Sequence, residues 1–160
     1  MAFDEAAVQQ LFYLAQSKLL ATNYFAAVNT SEPKSSPASD LICALWIDSI
    51  RPIRSSGLNS TTALVTLFAR IYQNMLSDPQ DAIDPTVTKA TTTVIGAFSA
   101  DFELIDPVTQ QPTVREVDLL GAYSNGLMAQ AGYVTIGQQL ERVMTITVPV
   151  VVNDCWTQGA

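Results

Sequence analysis

Histidine is absent from this chain of 160 residues. That removes the commonest general base and the commonest zinc ligand, so no Ser-His-Asp or Cys-His nucleophile can form within the chain. Cysteine occurs twice, at Cys43 and Cys155, with no Cys-x-x-Cys pair. Two isolated thiols do not make a structural zinc site. Cys43 sits in an apolar run and is expected as a small core residue. Cys155 lies in a polar stretch and is expected to be partly exposed, and a bridge between the two stays open. Neither G-x-x-x-x-G-K-[ST] nor G-x-G-x-x-G occurs, so the familiar phosphate-cradling loops are missing. No apolar run approaches the roughly 20 residues that span a bilayer. Asp4 and Glu5 stand where a secretory leader would carry basic residues, so neither a cleaved leader nor a membrane partner is expected.

Charge is also scarce. Charged residues make up 14% of the chain, against about 25% in an average soluble domain. The apolar fraction is 48%, and the mean hydropathy is +0.21. A compact monomer of this composition has few charges to clothe its surface, and large exposed apolar patches are uncommon on monomers. Oligomerisation is therefore expected. The net charge is −7, and most of it falls between Asp78 and Asp118, where eight acids face only Lys89 and Arg115. Such a chain is poorly suited to gripping nucleic acid, which needs cations against its phosphates. It suits a channel along which DNA slides without sticking.

What remains is the pattern of an α+β fold in a single domain covering 1–160, with two helices against a mainly antiparallel sheet built of long hairpins. Residues 4–23 predict a first helix, capped by Asp4, with Val8, Leu11, Phe12, Ala15 and Leu19 on one face and Leu14 and Leu20 widening it. A short strand is expected at 24–28. Residues 29–40 hold two prolines and several serines and predict a loop or extended arm. Residues 41–53 predict a strand covered on both faces as far as Asp48, and 63–72 predict its antiparallel partner, joined through a turn at Ser55-Ser-Gly57. Asp84-Pro85 predicts the start of a second helix, with Asp84 as cap and Val87, Ala90, Val94, Ala97 and Phe98 inward, ending near Phe102. Thr91, Thr92 and Thr93 are weak helix formers, so packing must hold it. Residues 106–112 predict a loop, 114–123 a strand, and 124–126 a turn. Residues 132–136 and 140–152 predict a hairpin closed at Gly137. Pro149 within the last strand implies an edge position or a change of neighbour. Residues 153–160 read as a polar tail.

Candidate chemistry is thin. Asp78, Asp81 and Asp84 place three carboxylates within seven residues, enough to approach a hard cation and to leave a small metal-dependent hydrolase as a rival of a different class. The stretch lacks the spacing, central glycine and terminal glutamate of a calcium loop, and a solvated turn ahead of a helix accounts for it. Asp101 and Glu103 are a weaker carboxylate pair. No catalytic residue, cofactor site or metal site is assigned. Arg51 and Arg54, near the end of the first long strand, fit either an interface or a hairpin tip. Trp46 fits the core better than an anchor, whereas Trp156, in the polar stretch, fits an anchor in a partner's pocket.

Several stretches taken together resemble a known family. They are Val28-Asn-Thr-Ser-Glu-Pro-Lys34, Trp46-Ile-Asp-Ser-Ile-Arg-Pro-Ile-Arg-Ser-Ser-Gly57, Ala69-Arg-Ile-Tyr-Gln-Asn-Met75, Asp101-Phe-Glu-Leu104, Val117-Asp-Leu-Leu-Gly-Ala-Tyr123, Ala131-Gly-Tyr133 and Arg142-Val-Met-Thr-Ile-Thr-Val-Pro-Val150. Their order and spacing resemble the tail terminator proteins of long-tailed bacteriophages of actinobacteria, over roughly residues 23–155. The pattern is one of strands and turns, not of a catalytic motif, and the stretch 105–113 is longer than the family pattern leads one to expect. The resemblance implies a non-enzymatic virion protein of the tail–neck junction, assembled in the host cytoplasm. Six copies would form a ring that caps the tail tube, joins it to a neck or stopper protein, and lets DNA pass through its hole without specific binding. Other neck components and tube subunits are the nearest rivals. Within that picture Glu32, Pro33, Lys34, Arg51, Arg54 and Trp156 are the expected contacts with copies or partners. Asp78, Asp81 and Asp106 are the expected acids facing the hole.

Overall fold

The computed structural model describes residues 5–34, 41–54, 59–76 and 80–157. The elements in chain order are α1 (Glu5–Leu20), β1 (Ala27–Asn29), β2 (Ile42–Ile53), β3 (Ser60–Asn74), a 3-10 turn at Gln80–Ala82, α2 (Ile83–Ala100), β4 (Glu116–Val117), β5 (Met128–Ile136) and β6 (Gln139–Thr157). They form a six-stranded sheet in the order β1-β2-β3-β6-β4, with β5 also paired to β6. Among the described residues, only β1 on β2 is parallel; the other pairings are antiparallel. The α+β class, the mainly antiparallel sheet and the two helices agree with the sequence pattern.

Alternation along the long strands gives the sheet two unlike faces. Cys43 and Leu45 of β2, Val65, Leu67, Ala69 and Ile71 of β3, and Ile146, Val148, Val150 and Val152 of β6 point inward. They pack with Leu11, Leu14, Ala15 and Leu19 of α1 and Val87, Ala90, Val94 and Phe98 of α2 in one buried cluster. Both helices therefore cover the same face. The opposite face holds a much smaller cluster of Ala44, Tyr72 and Val143, flanked by Ile42, Trp46, Val134 and Ile136. The expectation that β2 is covered on both faces until Asp48 holds for Cys43, Ala44 and Leu45, and from Asp48 to Pro52 the strand is exposed. Asp48 is itself the irregularity. The register slips between Ile47↔Leu67 and Ser49↔Thr66, so the inward parity of β2 changes there.

Several sequence expectations shift for identifiable reasons. α2 starts one residue before Asp84, with Ala82 at the N-cap and no side-chain cap. Asp84 instead reaches Arg142 Nε at 3.0 Å, and Pro85 falls in the first turn, where its missing N–H has no partner to lose. The threonines of α2 satisfy themselves locally: Thr91 Oγ1 donates to the Val87 carbonyl at 2.8 Å and Thr93 Oγ1 to Lys89 at 3.0 Å. Leu20 is exposed and does not join the inward face predicted for it. The short strand at 24–28 is realised as the three residues of β1. The expected strand at 114–123 shrinks to Glu116–Val117, because Asp118 curls the chain that follows. The tail expected from 153 is instead strand as far as Thr157. Three β6 residues, Asn153, Asp154 and Cys155, face the single Thr62 of β3 between the pairs Ala63↔Val152 and Thr61↔Trp156. Asp154 takes a positive φ of 53° in this bulge. Cys155 is thereby turned inward to 4% exposure, not partly exposed as expected. Both cysteines are free thiols, and burial pushes Cys43 up to about 12.

Pro149 fulfils its expectation of a changed neighbour. β5 pairs with β6 only as far as Thr147, and β4 takes over at Val150. The Pro149 carbonyl accepts from the Asp118 N–H at 2.8 Å in the gap. Proline's missing donor thus falls where no strand needs it. The capping role of Asp4 and the turn at Ser55-Ser-Gly57 lie outside the described residues.

Candidate functional site

The open face of the sheet carries an ordered group of aromatic and cationic side chains. Trp46 and Phe68, opposite one another on β2 and β3, meet edge to face with centroids 6.0 Å apart and planes at 82°. The Arg70 guanidinium lies 5.3 Å from the Trp46 ring centre. Its Nε donates to Thr145 Oγ1 at 2.9 Å and its Nη1 reaches Glu32 Oε1 at 3.4 Å. These contacts hold Arg70 across the strands, with its charge against a π face. Tyr72 continues the row inward; burial raises its hydroxyl pKa, and Arg70 moderates the rise. A shallow recess of about 310 Å³ runs from Phe68 and Arg70 over Thr145 and Thr147 to Met128, Gln130 and Val134. Its lining is polar-neutral or apolar apart from Arg70. It is shallower than the enclosed pockets that small-molecule sites favour.

At the start of β6 a second cation is held in the same manner. The Arg142 guanidinium sits 4.5 Å from the Tyr133 ring centre, with Asp84 on Nε and the Gly132 carbonyl on Nη1 at 3.3 Å. Beyond β4, the segment 118–127 forms a tight loop. The buried Asp118 carboxylate accepts from the N–H groups of Gly121, Ala122 and Tyr123 and from the Ser124 hydroxyl, at 2.7–3.1 Å. Burial opposes its charge, but these four bonds outweigh it and hold the carboxyl below the ordinary range.

The sequence-predicted site residues fall in separate places. Glu32 joins the open face through Arg70, with Pro33 half-buried and Lys34 exposed beside it. Arg51 donates from Nη2 to the Tyr123 carbonyl at 3.0 Å, tying β2 to the 118–127 loop. Arg54 is exposed just beyond β2. Trp156 lies in β6 opposite Thr61 and is 37% exposed. Asp81 is exposed in the 3-10 turn. Asp106 accepts from Gln10 Nε2 at 3.0 Å and from the Val108 N–H at 2.8 Å, which ties the long 105–113 loop to α1. Asp78 lies outside the described residues. Asp101 pairs with Lys18 Nζ at 2.9 Å and accepts from the Ile105 N–H. Burial works against its charge and these contacts prevail, so its pKa is also lowered. Among the described residues, no three of His, Cys, Asp and Glu gather in a way that could hold a metal ion.

Sequence reasoning missed Arg70, which sits in a plain alternating strand, and the 118–127 loop. The signal for Arg70 was present: it is the lone charge between Ser60 and Asn74, and so had to face whatever that strand leaves uncovered.

Among known proteins, no family model and no curated relative matches the chain. A solved structure of the sheath/tube terminator of an extracellular contractile injection system (PVC), in its extended state, is similar at 14% identity with a TM-score of 0.39. The alignment covers 100% of this chain and 61% of that one.

Proposed function

We propose that this chain is a structural subunit of the tail-terminator type, one that works by assembly and not by catalysis. The observation that carries the proposal is the one-sided clothing of the sheet. Both helices cover one face, while the other presents Trp46, Phe68 and a tethered Arg70 over a shallow, nearly uncharged recess. Aromatic residues and arginine are the residue types that interface centres enrich. The scarcity of charge and the terminator-like order of strands and turns agree with it. In this proposal six copies close into a ring at the head-proximal end of a tail tube, and a neck protein docks on the far side. Ring closure needs two different patches on each copy, each meeting the other around the circle. Glu32, Pro33 and Lys34, beside Arg70, belong to one such contact zone, with Arg54 and Trp156 at the other end of the sheet. DNA passes through the hole, and Asp81, exposed in the 3-10 turn, and Asp106 are among the acids proposed to repel it.

The test is native mass spectrometry and negative-stain microscopy of the purified chain, alone and with tail tubes. Closed rings that stop tube growth at one end support the proposal. Indefinite stacking would make it a tube subunit, and a chain that neither associates nor binds tubes would end the assembly reading.

A further inference from the structure

The 118–127 loop is far more rigidly built than a surface connection needs to be. Besides the four bonds to Asp118, the Ser124 hydroxyl accepts from Gly126 N–H at 3.0 Å, and Leu127 N–H donates to the Leu119 carbonyl at 3.1 Å. Gly121 and Gly126 take φ of 90° and 84°, and a Cβ on Gly121 would come within 2.9 Å of the Ser124 carbonyl oxygen. No other residue fits there without strain. Arg51 holds the Tyr123 carbonyl, and the Arg115 guanidinium lies 5.4 Å from the Tyr123 ring centre. Leu119 and Leu127 pack against the main core. Between these anchors Leu120 is 99% exposed.

The chain also carries a recess that fits an apolar knob. Between α1 and the segment after α2 lies a cleft of about 310 Å³, lined by Tyr13, Leu14, Leu104, Ile105 and Pro107 and bordered by the Lys18–Asp101 pair. Leu120 does not enter its own cleft, since it is fully exposed. Charge favours a second copy as the partner. Residues 119–140 contain no charged side chain, so this stretch approaches another chain of net charge −7 with little repulsion. The exposed Arg51 and Arg115 stand at the foot of the loop, while Asp101 lines the cleft and Glu103 and Asp106 flank it in sequence. Asp101 is already paired with Lys18, so Glu103 and Asp106 are the acids left to complement these cations.

We propose that Leu120 of one copy inserts into the α1 cleft of the next, a head-to-tail contact of the kind that closes rings. This deepens the assembly reading and rests on it only in requiring that copies meet. The test uses the full chain with Leu120→Asp, and separately Leu120→Cys mixed with Ser17→Cys, Ser17 being a cleft residue. The native cysteines are buried and do not compete. Leu120→Asp is expected to melt like the parent while weakening self-association about 100-fold. Oxidation is expected to cross-link the two cysteine variants only when they are mixed. Rings unaffected by Leu120→Asp would overturn this contact and leave assembly standing. Leu120→Cys cross-linking to itself as readily as to Ser17→Cys would replace it with a like-to-like contact. A parent chain that never associates, with or without tubes, removes both readings together.

Discussion

The two faces of one sheet use the same strands for opposite ends. The covered face is aliphatic and continuous, from Leu11 on α1 through Leu67 and Val148 to Phe98 on α2, and most of these side chains are fully buried. The open face is built from fewer buried residues and more shaped ones, with Trp46, Phe68 and Arg70 locked in mutual contact. Burial of aliphatic area is non-directional and sets stability. Fixed aromatic and guanidinium groups add direction, and direction is what a partner reads. Substitutions on the two faces should therefore separate folding from assembly.

The largest effect is expected on the covered face. Phe98→Ala removes a fully buried ring between helix and sheet and should cost about 3–5 kcal/mol in a urea melt. A cost below 1 kcal/mol would mean that the helical layer does not hold the sheet. Next comes Asp118→Ala, which strands three backbone donors and one hydroxyl. About 3 kcal/mol is expected, because unmade buried hydrogen bonds cost more than made ones gain. The same carboxylate, together with Asp101, gives a signed pH dependence. Both have pKa values below their unfolded values. Their contribution is thus complete at neutral pH and is lost as pH falls below about 4 and through the lowered folded value. An acid melt of Asp118→Ala should show a shallower loss than the parent over that window.

On the open face the order reverses. Arg70→Met, which keeps the stem and drops the charge, should change the free subunit by about 1 kcal/mol or less. It should still reduce ring formation or tube binding, as read by sedimentation. Equal assembly by the variant would remove the open face from the contact. The smallest change is expected from Lys18→Met. Its pair with Asp101 is partly exposed, at 17% and 29% for the two side chains, and about 0.5 kcal/mol is expected.

The covered face was the legible part of the sequence. The alternation of 63–72 and the helical spacing from Val87 to Phe98 each state one buried side, because burial repeats with the period of the element, while the run of 41–47 implied cover on both faces. Pro149 was legible too, since a missing donor forces a gap in the ladder. The 118–127 loop was not. The apolar Val117, Leu119 and Leu120 suggest strand, and the competition of one carboxylate for four nearby donors bends the chain away. Cys155 was misjudged because a bulge at Asp154 changes parity without altering composition. The tryptophan–arginine contact joins β2 to β3 beyond the reach of any local pattern, whereas Tyr133 and Arg142 face each other across the β5–β6 hairpin. Of the expected contact residues, Glu32 and Arg51 proved to be tied to their own subunit as well as available at the surface.

The most direct measurement is native mass spectrometry of the unmodified chain across a concentration series, repeated with tail tubes. The account predicts a closed species of one size, six copies, which appears either in free solution or on tube ends and does not grow further. A monomer at every concentration that also leaves tubes unbound, or an open ladder of ever longer oligomers, would contradict it.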